Sequence, residues 1–373
     1  MRASLHAKDL HYGNGVVLHT ASSGSLAQLQ SLYLRLDDGV HQAVGEVRIN
    51  IAYLNGYTAD AVRSSTLALL SRVDWQQPPE QLLATLPDWA GASPMPVRCL
   101  IDCALHDLVA RRASLPLADW LRGSGATQST IAYASNQTLF WSPFEVFMQQ
   151  AQAYVARGFR DLKVRVAAGD FAEDLRRLRA LRERFGDGIK LAADANAQWS
   201  MAEAPARLAA LAPFGLAYLE QPVATEQPAD LLTLAAASPM PLMLDEGLRS
   251  LQDVQALCDL RRAGGAGSTR LWAHLKLVKL GGLAPALAAS RQLADAGVPF
   301  MIGQMNEGGA ATAAALHLAA AVTPPFAELY GADGLADDPA SGLVYADGGL
   351  AVPARPGLGI DLDFSLTPTL WSS

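Results

Sequence analysis

KLAADANAQW (190–199), LAYLEQP (216–222) and PLMLDEG (241–247) share one pattern: each is a short apolar run that ends on an acid, Asp194, Glu220 and Asp245 in turn. The acids lie 26 and 25 residues apart, about the length of one strand plus one helix. In a closed parallel barrel the C-terminal ends of successive strands meet at one rim, so carboxylates at this interval become neighbours. Three ionised carboxylates gathered there repel by about 4 kcal/mol per pair at ~4 Å and an effective dielectric of ~20, and a bound cation relieves that repulsion. An all-oxygen donor set suits Mg²⁺ better than zinc, and Mg²⁺ keeps positions for water or substrate oxygens.

Outward from these stretches, the chain from about residue 126 alternates short apolar strands with amphipathic helices. Strand candidates are TIAYAS (130–135), DLKVRV (161–166), IKLAAD (189–194), LAYLEQ (216–221), PLMLDE (241–246), WAHLKLV (272–278), PFMIGQ (299–304) and FAELYG (326–331), eight in all, the number of a closed α/β barrel. An open doubly wound sheet has the same rhythm and also carries ligands at strand ends. No nucleotide fingerprint accompanies it, and GGAGST (264–269) lacks the lysine of a phosphate loop and precedes a strand, so it reads as a surface turn.

Residues 1–125 differ. The alternation in SLYLRL and the DDG turn point to an antiparallel hairpin, followed by helical patterns over Ala59–Ser71 and Val97–Arg112. We therefore expect an α+β unit over 1–125, a barrel over 126–330, and a Gly/Asp/Pro-rich tail over 331–373 that packs back on the first unit.

Half of the 373 residues are apolar, enough for a large core, and the net charge is −7. Scattered basic residues leave no footprint for nucleic acid or an anionic membrane. The N-terminal MRASLHAKDLHYGNG lacks the apolar stretch of a signal peptide, so a cytoplasmic small-molecule protein is expected. Cys99, Cys103 and Cys258 sit in apolar helical patterns and read as reduced structural thiols.

Two basic stations flank the acids. In DLKVRV the two-residue alternation aims Lys163 and Arg165 at one face of the strand; HLKLVKLGG (274–282) places Lys276 within a strand and Lys279 at its end. A charge inside a strand is costly unless it is paired or faces a functional cavity. His274 and His317 read as packed core residues. Tyr57, Phe140 and Trp141 are candidates for a substrate lid, with a packing role as the alternative.

Taken together, these motifs resemble the enolase superfamily, in particular its muconate lactonizing enzyme subgroup, with a K-x-K strand, three metal carboxylates and a later K-L-x-K-x-G-G strand end. VRCLIDCALHDLVARRASLPLADWLRG (97–123) is similar to the last helix and exit of that family's capping domain, MIGQMNEGGAATAAALHLAAA (301–321) to its seventh strand and helix, and AELYGADGLADDP (327–339) to its eighth strand. The resemblance implies a modified TIM barrel of (β/α)7β type with an α+β N-terminal capping domain. It also implies Mg²⁺ on Asp194, Glu220 and Asp245, with Asn196 and Glu246 in support. Lys276, rather than Lys279, matches the catalytic lysine of the sixth strand, and Glu307 the acidic position ending the seventh. Ser135, Asn136 and Gln137, at the end of the first strand, would line the substrate pocket with Tyr57 and Trp141. A homo-oligomer, dimer or octamer, and a small carboxylate substrate are implied as well.

One departure bears on the reaction. The family's second K-x-K lysine is an acid/base and the first assists it, but that second position here is Arg165. A lysine must fall from about 10.4 to near 7 to act as a base, and arginine starts above about 12, so Arg165 reads as a fixed cation. The family abstracts the proton α to a carboxylate to give a Mg²⁺-stabilised enediolate. With one good base, the expected outcome is β-elimination of water from a small hydroxylated acid. The subgroup's D-x-D for holding a dipeptide amino group is absent from AELYGAD, which turns the expectation to a 3-hydroxyproline-like substrate. Racemisation, epimerisation or cycloisomerisation is the alternative, and a metal-binding homologue without turnover is the alternative of another class.

Overall fold

The computed structural model describes residues 1–13, 18–20, 23–123, 132–224 and 227–373. β1 (Arg2–Leu10), β2 (Leu29–Asp37) and β3 (Gln42–Arg48) form an antiparallel sheet, and the C-terminal strand Thr369–Ser372 pairs with the outer edge of β1. Leu32, Leu34 and Leu36 of β2 are fully buried, because α1 (Met95–Arg112) lies across this sheet. α1 starts directly after Pro94, with Pro96 in its first turn, where a missing N–H costs nothing. Contact between helix and sheet requires Gly45: a Cβ there would stand 2.1 Å from the Leu100 carbonyl oxygen.

The barrel follows in strict alternation: β4 (Gln137–Leu139), α2 (Phe144–Ala156), β5 (Asp161–Arg165), α3 (Phe171–Phe185), β6 (Lys190–Asp194), α4 (Ala204–Leu211), β7 (Leu219–Glu220), α5 (Pro228–Ala237), β8 (Leu242–Leu244), α6 (Leu251–Ala263), β9 (Leu271–Lys276), α7 (Leu283–Asp295), β10 (Phe300–Gly303), α8 (Gly309–Val322) and β11 (Phe326–Glu328). The eight strands pair in parallel in chain order. The Asn136 backbone N–H donates to Ala327 at 3.0 Å and brings the two ends of the sheet together. Eight strands with seven helices between them make the (β/α)7β barrel, and an open doubly wound sheet is excluded.

α3 shows how locally the helices are specified. Asp170 caps it by accepting from the Ala172 N–H, Leu178 and Leu181 are its buried stripe, and Arg182 and Arg184 occupy its last turn. One strand expectation is corrected. Thr130 and Ile131 lie outside the described residues, and Ala132–Ala134 pairs with Gly349–Ala351 in a small antiparallel sheet. The first barrel strand is Gln137–Leu139, all three residues buried, whereas Ala132 and Ala134 of the preceding strand are exposed.

Two buried carboxylates fasten the capping unit to the barrel. Glu46 on β3 accepts from the N–H groups of Gly308, Ala310 and Ala311 at 3.0, 3.1 and 3.1 Å, which caps α8. Asp102 on α1 accepts from the Leu283 N–H at 2.5 Å and caps α7. Helix N-termini favour a negative charge, so these contacts hold the cap over one rim. His317 staples the back of the barrel: its Nδ1 accepts the Ala118 N–H at 3.1 Å and its Nε2 lies 3.1 Å from the Leu358 carbonyl. No helix among the described residues is long and apolar enough to cross a membrane.

Candidate active site

Strand alternation and parallel register stack the barrel interior in layers. Deepest are Ala192, Tyr218, Met243 and Met301, with Trp272 and Phe326 packed against them. Above lie Lys163, Glu220, His274 and Glu328, all buried and all charged or polar. Arg165, Asp194, Asp245 and Lys276 come next, facing the cap. Arg165 pairs in register with Asp194, and Asp194 with Glu220, so the even spacing in sequence becomes adjacency in space.

The middle layer is an ion network. Lys163 Nζ donates to Glu220 Oε2 at 2.9 Å, lies 3.6 Å from Asp194 Oδ2, and also pairs with Glu328. His274 Nδ1 lies 3.0 Å from Glu220 Oε1, and an ionised Glu220 makes Nδ1 the protonated nitrogen. Room for this ring comes from Gly303 on the neighbouring strand, where a Cβ would stand 2.0 Å from His274 Nε2. Burial alone would depress Lys163, but Glu220 and Glu328 outweigh it and raise its pKa. Burial likewise would raise Glu220 and Glu328, yet Lys163 holds both below the usual carboxylate range, with His274 adding to the effect.

In the upper layer Arg165 Nη1 pairs with Asp194, whose Oδ1 accepts the Asn196 N–H at 2.8 Å. Asn196 takes a left-handed backbone, φ +46°, which a short amide side chain tolerates, and its Nδ2 donates to Glu246 Oε1 at 3.3 Å. Asp245 sits between two lysines: Lys276 Nζ is 2.5 Å from Oδ2, and Lys279 Nζ is 2.6 Å from Oδ1. The lysines differ in what else they do. Lys279 also donates to the carbonyls of Asp245 and His274 at 2.7 and 2.9 Å, so its three N–H groups are all occupied. Lys276 lines the mouth cavity with Arg165, Asn196, Asp245 and Glu246. Against the depressing effect of burial, Asp245 and Glu220 raise Lys276, whereas burial prevails at Lys279 and lowers it.

Gln221 positions the loop that carries Asp245. Its Oε1 accepts the N–H groups of Asp245 and Gly247 at 2.9 and 3.0 Å, and its Nε2 donates to Val223 at 2.9 Å. Gln221→Ala removes all three bonds; partners that orient a metal ligand are worth about 10- to 100-fold in affinity. We expect Mn²⁺ binding followed by electron paramagnetic resonance to weaken by that factor, with the fold retained.

The donor set fits a hard divalent cation. Five carboxylates, Asp194, Glu220, Asp245, Glu246 and Glu328, gather with the cations Lys163, Arg165, Lys276 and Lys279, and Arg48 lines the same cavity, so anions and cations balance. Asn196 Oδ1 and Glu246 Oε2 are buried oxygens without a hydrogen-bond partner, positioned beside the acids. The tightest donor group is Glu220, Asp245 and His274, with one atom from each within 4.8 Å of the others. Asp194 stands outside that group, its carboxylate engaged by Arg165 and Lys163.

Other expected residues lie elsewhere. Ser135 and Asn136 precede β4 and Gln137 opens it, below the mouth, and none of the three lines its cavity; Ser135 Oγ donates to the Asn136 carbonyl, Asn136 Nδ2 to Glu328 at 3.1 Å, and Gln137 Nε2 to Asp333 at 2.8 Å. The strand starts later than expected, so Phe140 lines the mouth instead. Tyr57 is exposed, and Trp141 stacks beside His19 at 5.3 Å, outside the cavity lining. Glu307 is buried and accepts the Met305 N–H at 3.3 Å; burial raises its pKa. Reading single residues missed Glu328, His274 and Gln221. Alternation from Lys276 back to His274, and from Tyr330 back to Glu328, was the available signal.

Residues 146–366 match the family model described as Enolase C-terminal domain-like. The chain is 34% identical to an L-Lys-D/L-Arg epimerase of Methylococcus capsulatus, over 70% of this chain and 71% of the relative. It is 30% identical to a chloromuconate cycloisomerase of Pseudomonas putida, over 71% and 70%. The fold also matches the crystal structure of a dipeptide epimerase from Cytophaga hutchinsonii complexed with Mg and D-Ala-L-Val, with TM-score 0.88 and 23% identity, covering 99% of this chain and 98% of that one.

Proposed function

The chain belongs to the muconate lactonizing enzyme subgroup of the enolase superfamily, and on that footing we propose that it is a Mg²⁺-dependent isomerase of carboxylates derived from amino acids, foremost a racemase or epimerase. The observation that carries this reading is Lys276, which lines the cavity at the barrel mouth beside Asp245 while Lys279 is fully engaged below. Lys276 removes the proton on one face of the carbon next to the substrate carboxylate, and inversion is completed by a proton delivered from solvent water to the opposite face, since Arg165 is a fixed cation. Asp194, Glu220 and Asp245 would hold Mg²⁺, which supplies Lewis-acid stabilisation of the charge that develops on that carboxylate. Asp245 and Glu220 raise the pKa of Lys276, and a divalent cation held by the same carboxylates would favour its neutral amine. Arg165 supplies a fixed positive charge on the β5 side of the mouth.

The relatives' names, epimerase and cycloisomerase, favour isomerisation over dehydration of a hydroxyproline. Glu328 on β11 is engaged by Lys163 and Asn136 in the barrel interior, and neither it nor Tyr330 lines the mouth cavity, so neither is placed to receive a substrate ammonium. This supports an N-substituted amino acid. Arg165 in place of a lysine favours a second reading, a one-base outcome such as cycloisomerisation or β-elimination of water. The test starts from single enantiomers of N-acylated amino acids in deuterated water. Exchange at the α-carbon with formation of the mirror form, lost with EDTA and regained with Mg²⁺, is expected. Loss of water without the mirror form would establish the one-base reading, and no exchange in any Mg²⁺-loaded sample would overturn the proposal.

A further inference from the structure

We infer that His274 is a positioning residue for the cation site: it aims the Glu220 carboxylate, and the missing side chain at Gly303 is what admits its ring. The inference rests on the reading that Glu220 holds the cation, and not on which reaction follows. Glu220 needs a guide from outside its own strand, because it ends a strand of two residues, Leu219–Glu220, and the next residue turns to φ +30°. Two donors reach it from neighbouring strands: Lys163 Nζ at Oε2, 2.9 Å, and His274 Nδ1 at Oε1, 3.0 Å. A carboxylate offers about four lone-pair sites, so one bond to each oxygen leaves a site on both for a cation. The two donors serve differently. Lys163 is shared with Asp194 and Glu328, and its charge answers all three acids. His274 directs Nδ1 at Glu220, leaves Nε2 without a hydrogen-bond partner among the described residues, and has its backbone carbonyl held by Lys279 Nζ at 2.9 Å.

Gly303 is the second, independent observation. It lies in β10 and pairs in register with Lys276, and its φ is outside the left-handed region, so no turn calls for glycine here. Glycine weakens a strand, and where it stands in one it marks the close approach of another group. That group is the imidazole: a Cβ at 303 would collide with His274 Nε2, and the three atoms nearest to it all belong to this ring. A methyl group at 303 would therefore push the ring, and Nδ1 with it, off Glu220. Histidine and glycine on adjacent strands act as one device that sets the direction of a metal ligand.

Mn²⁺ affinity, read from the free-ion electron paramagnetic resonance signal without substrate, tests this. His274→Phe keeps a ring and removes the donor, and is expected to weaken Mn²⁺ binding by about 10- to 100-fold. His274→Asn places an amide N–H where Nδ1 stood, so the bond to Glu220 is kept and affinity should stay within ~3-fold of the wild type. Gly303→Ala alone should cost about as much as His274→Phe. Combined with His274→Asn it should be rescued, because the shorter amide leaves room for the methyl group. A purely structural role predicts the opposite for this pair, two packing losses that add. The glycine pair decides the matter even where His274→Phe does not fold. Wild-type affinity in His274→Phe, or a Gly303→Ala loss that His274→Asn does not relieve, overturns the inference. So does nitrogen coupling from a directly bound imidazole in the Mn²⁺ spin echo, which would make His274 a ligand. A wild-type protein that binds no Mn²⁺ overturns the metal reading and this inference together. Tight binding with rescue but no α-proton exchange upholds it while the isomerase reading fails.

Discussion

Lys276→Ala is expected to slow α-proton exchange by about 10²- to 10⁴-fold, the range by which a positioned general base accelerates proton transfer. The fold should survive, because Asp245 keeps Lys279 at 2.6 Å and keeps the Gln221 bond to its backbone N–H at 2.9 Å. Mg²⁺ affinity should not fall, since Lys276 holds Asp245 Oδ2 at 2.5 Å and its removal frees that oxygen. Lys276→Arg restores the charge without a group that deprotonates near neutrality, so it should be as inactive as the alanine variant. This pairing separates a base from an electrostatic element: if arginine recovers exchange to within ~10-fold of the wild type, the lysine contributes charge alone. If the alanine variant keeps wild-type exchange, the proton is taken by another group and the assignment to Lys276 fails.

The legibility of the site follows from the kind of signal each residue leaves. Asp194, Glu220 and Asp245 were readable because a barrel converts equal spacing in sequence into neighbours at one rim, and each ends an apolar run. Lys276 was readable for the same reason, as a charge inside a strand. Glu328 and His274 were legible only through alternation: one residue of FAELYG or WAHLKLV reveals little until strand direction fixes which side chains point inward. Ser135, Asn136 and Gln137 were misplaced because the first strand is three residues long and is preceded by a second extended segment in a different sheet. Periodicity does not separate two short extended segments. Gln221 left no signal, since its φ of +30° and its three hydrogen bonds arise in the loop that leaves β7 for α5.

Lys163→Met is expected to cost about 3–5 kcal/mol of stability, the loss typical of removing one partner from a buried ion pair. The residue has no exposed surface and neutralises Glu220 and Glu328 at once, with Asp194 Oδ2 3.6 Å away. Without it two desolvated carboxylates in the middle layer lose their shared cation and keep only Asn136 on Glu328, His274 on Glu220 and the more distant charge of Lys276, and burial together with Lys276 already lowers the pKa of the His274 ring. A lower urea midpoint is the expected measurement. Adding Glu328→Gln should recover part of the loss, because it removes one of the two orphaned charges, and the non-additivity of the pair measures the Lys163–Glu328 coupling. Wild-type stability of the single variant would mean that the network is held by other groups. The same placement explains why the first basic residue of Lys163-Val164-Arg165 need not reach the substrate. Arg165 lines the mouth cavity and Lys163 lies one layer beneath it, so an amine at position 163 serves the carboxylates from below. The charge that keeps Glu220 ionised, and therefore able to bind a metal, comes from that lysine in the barrel interior.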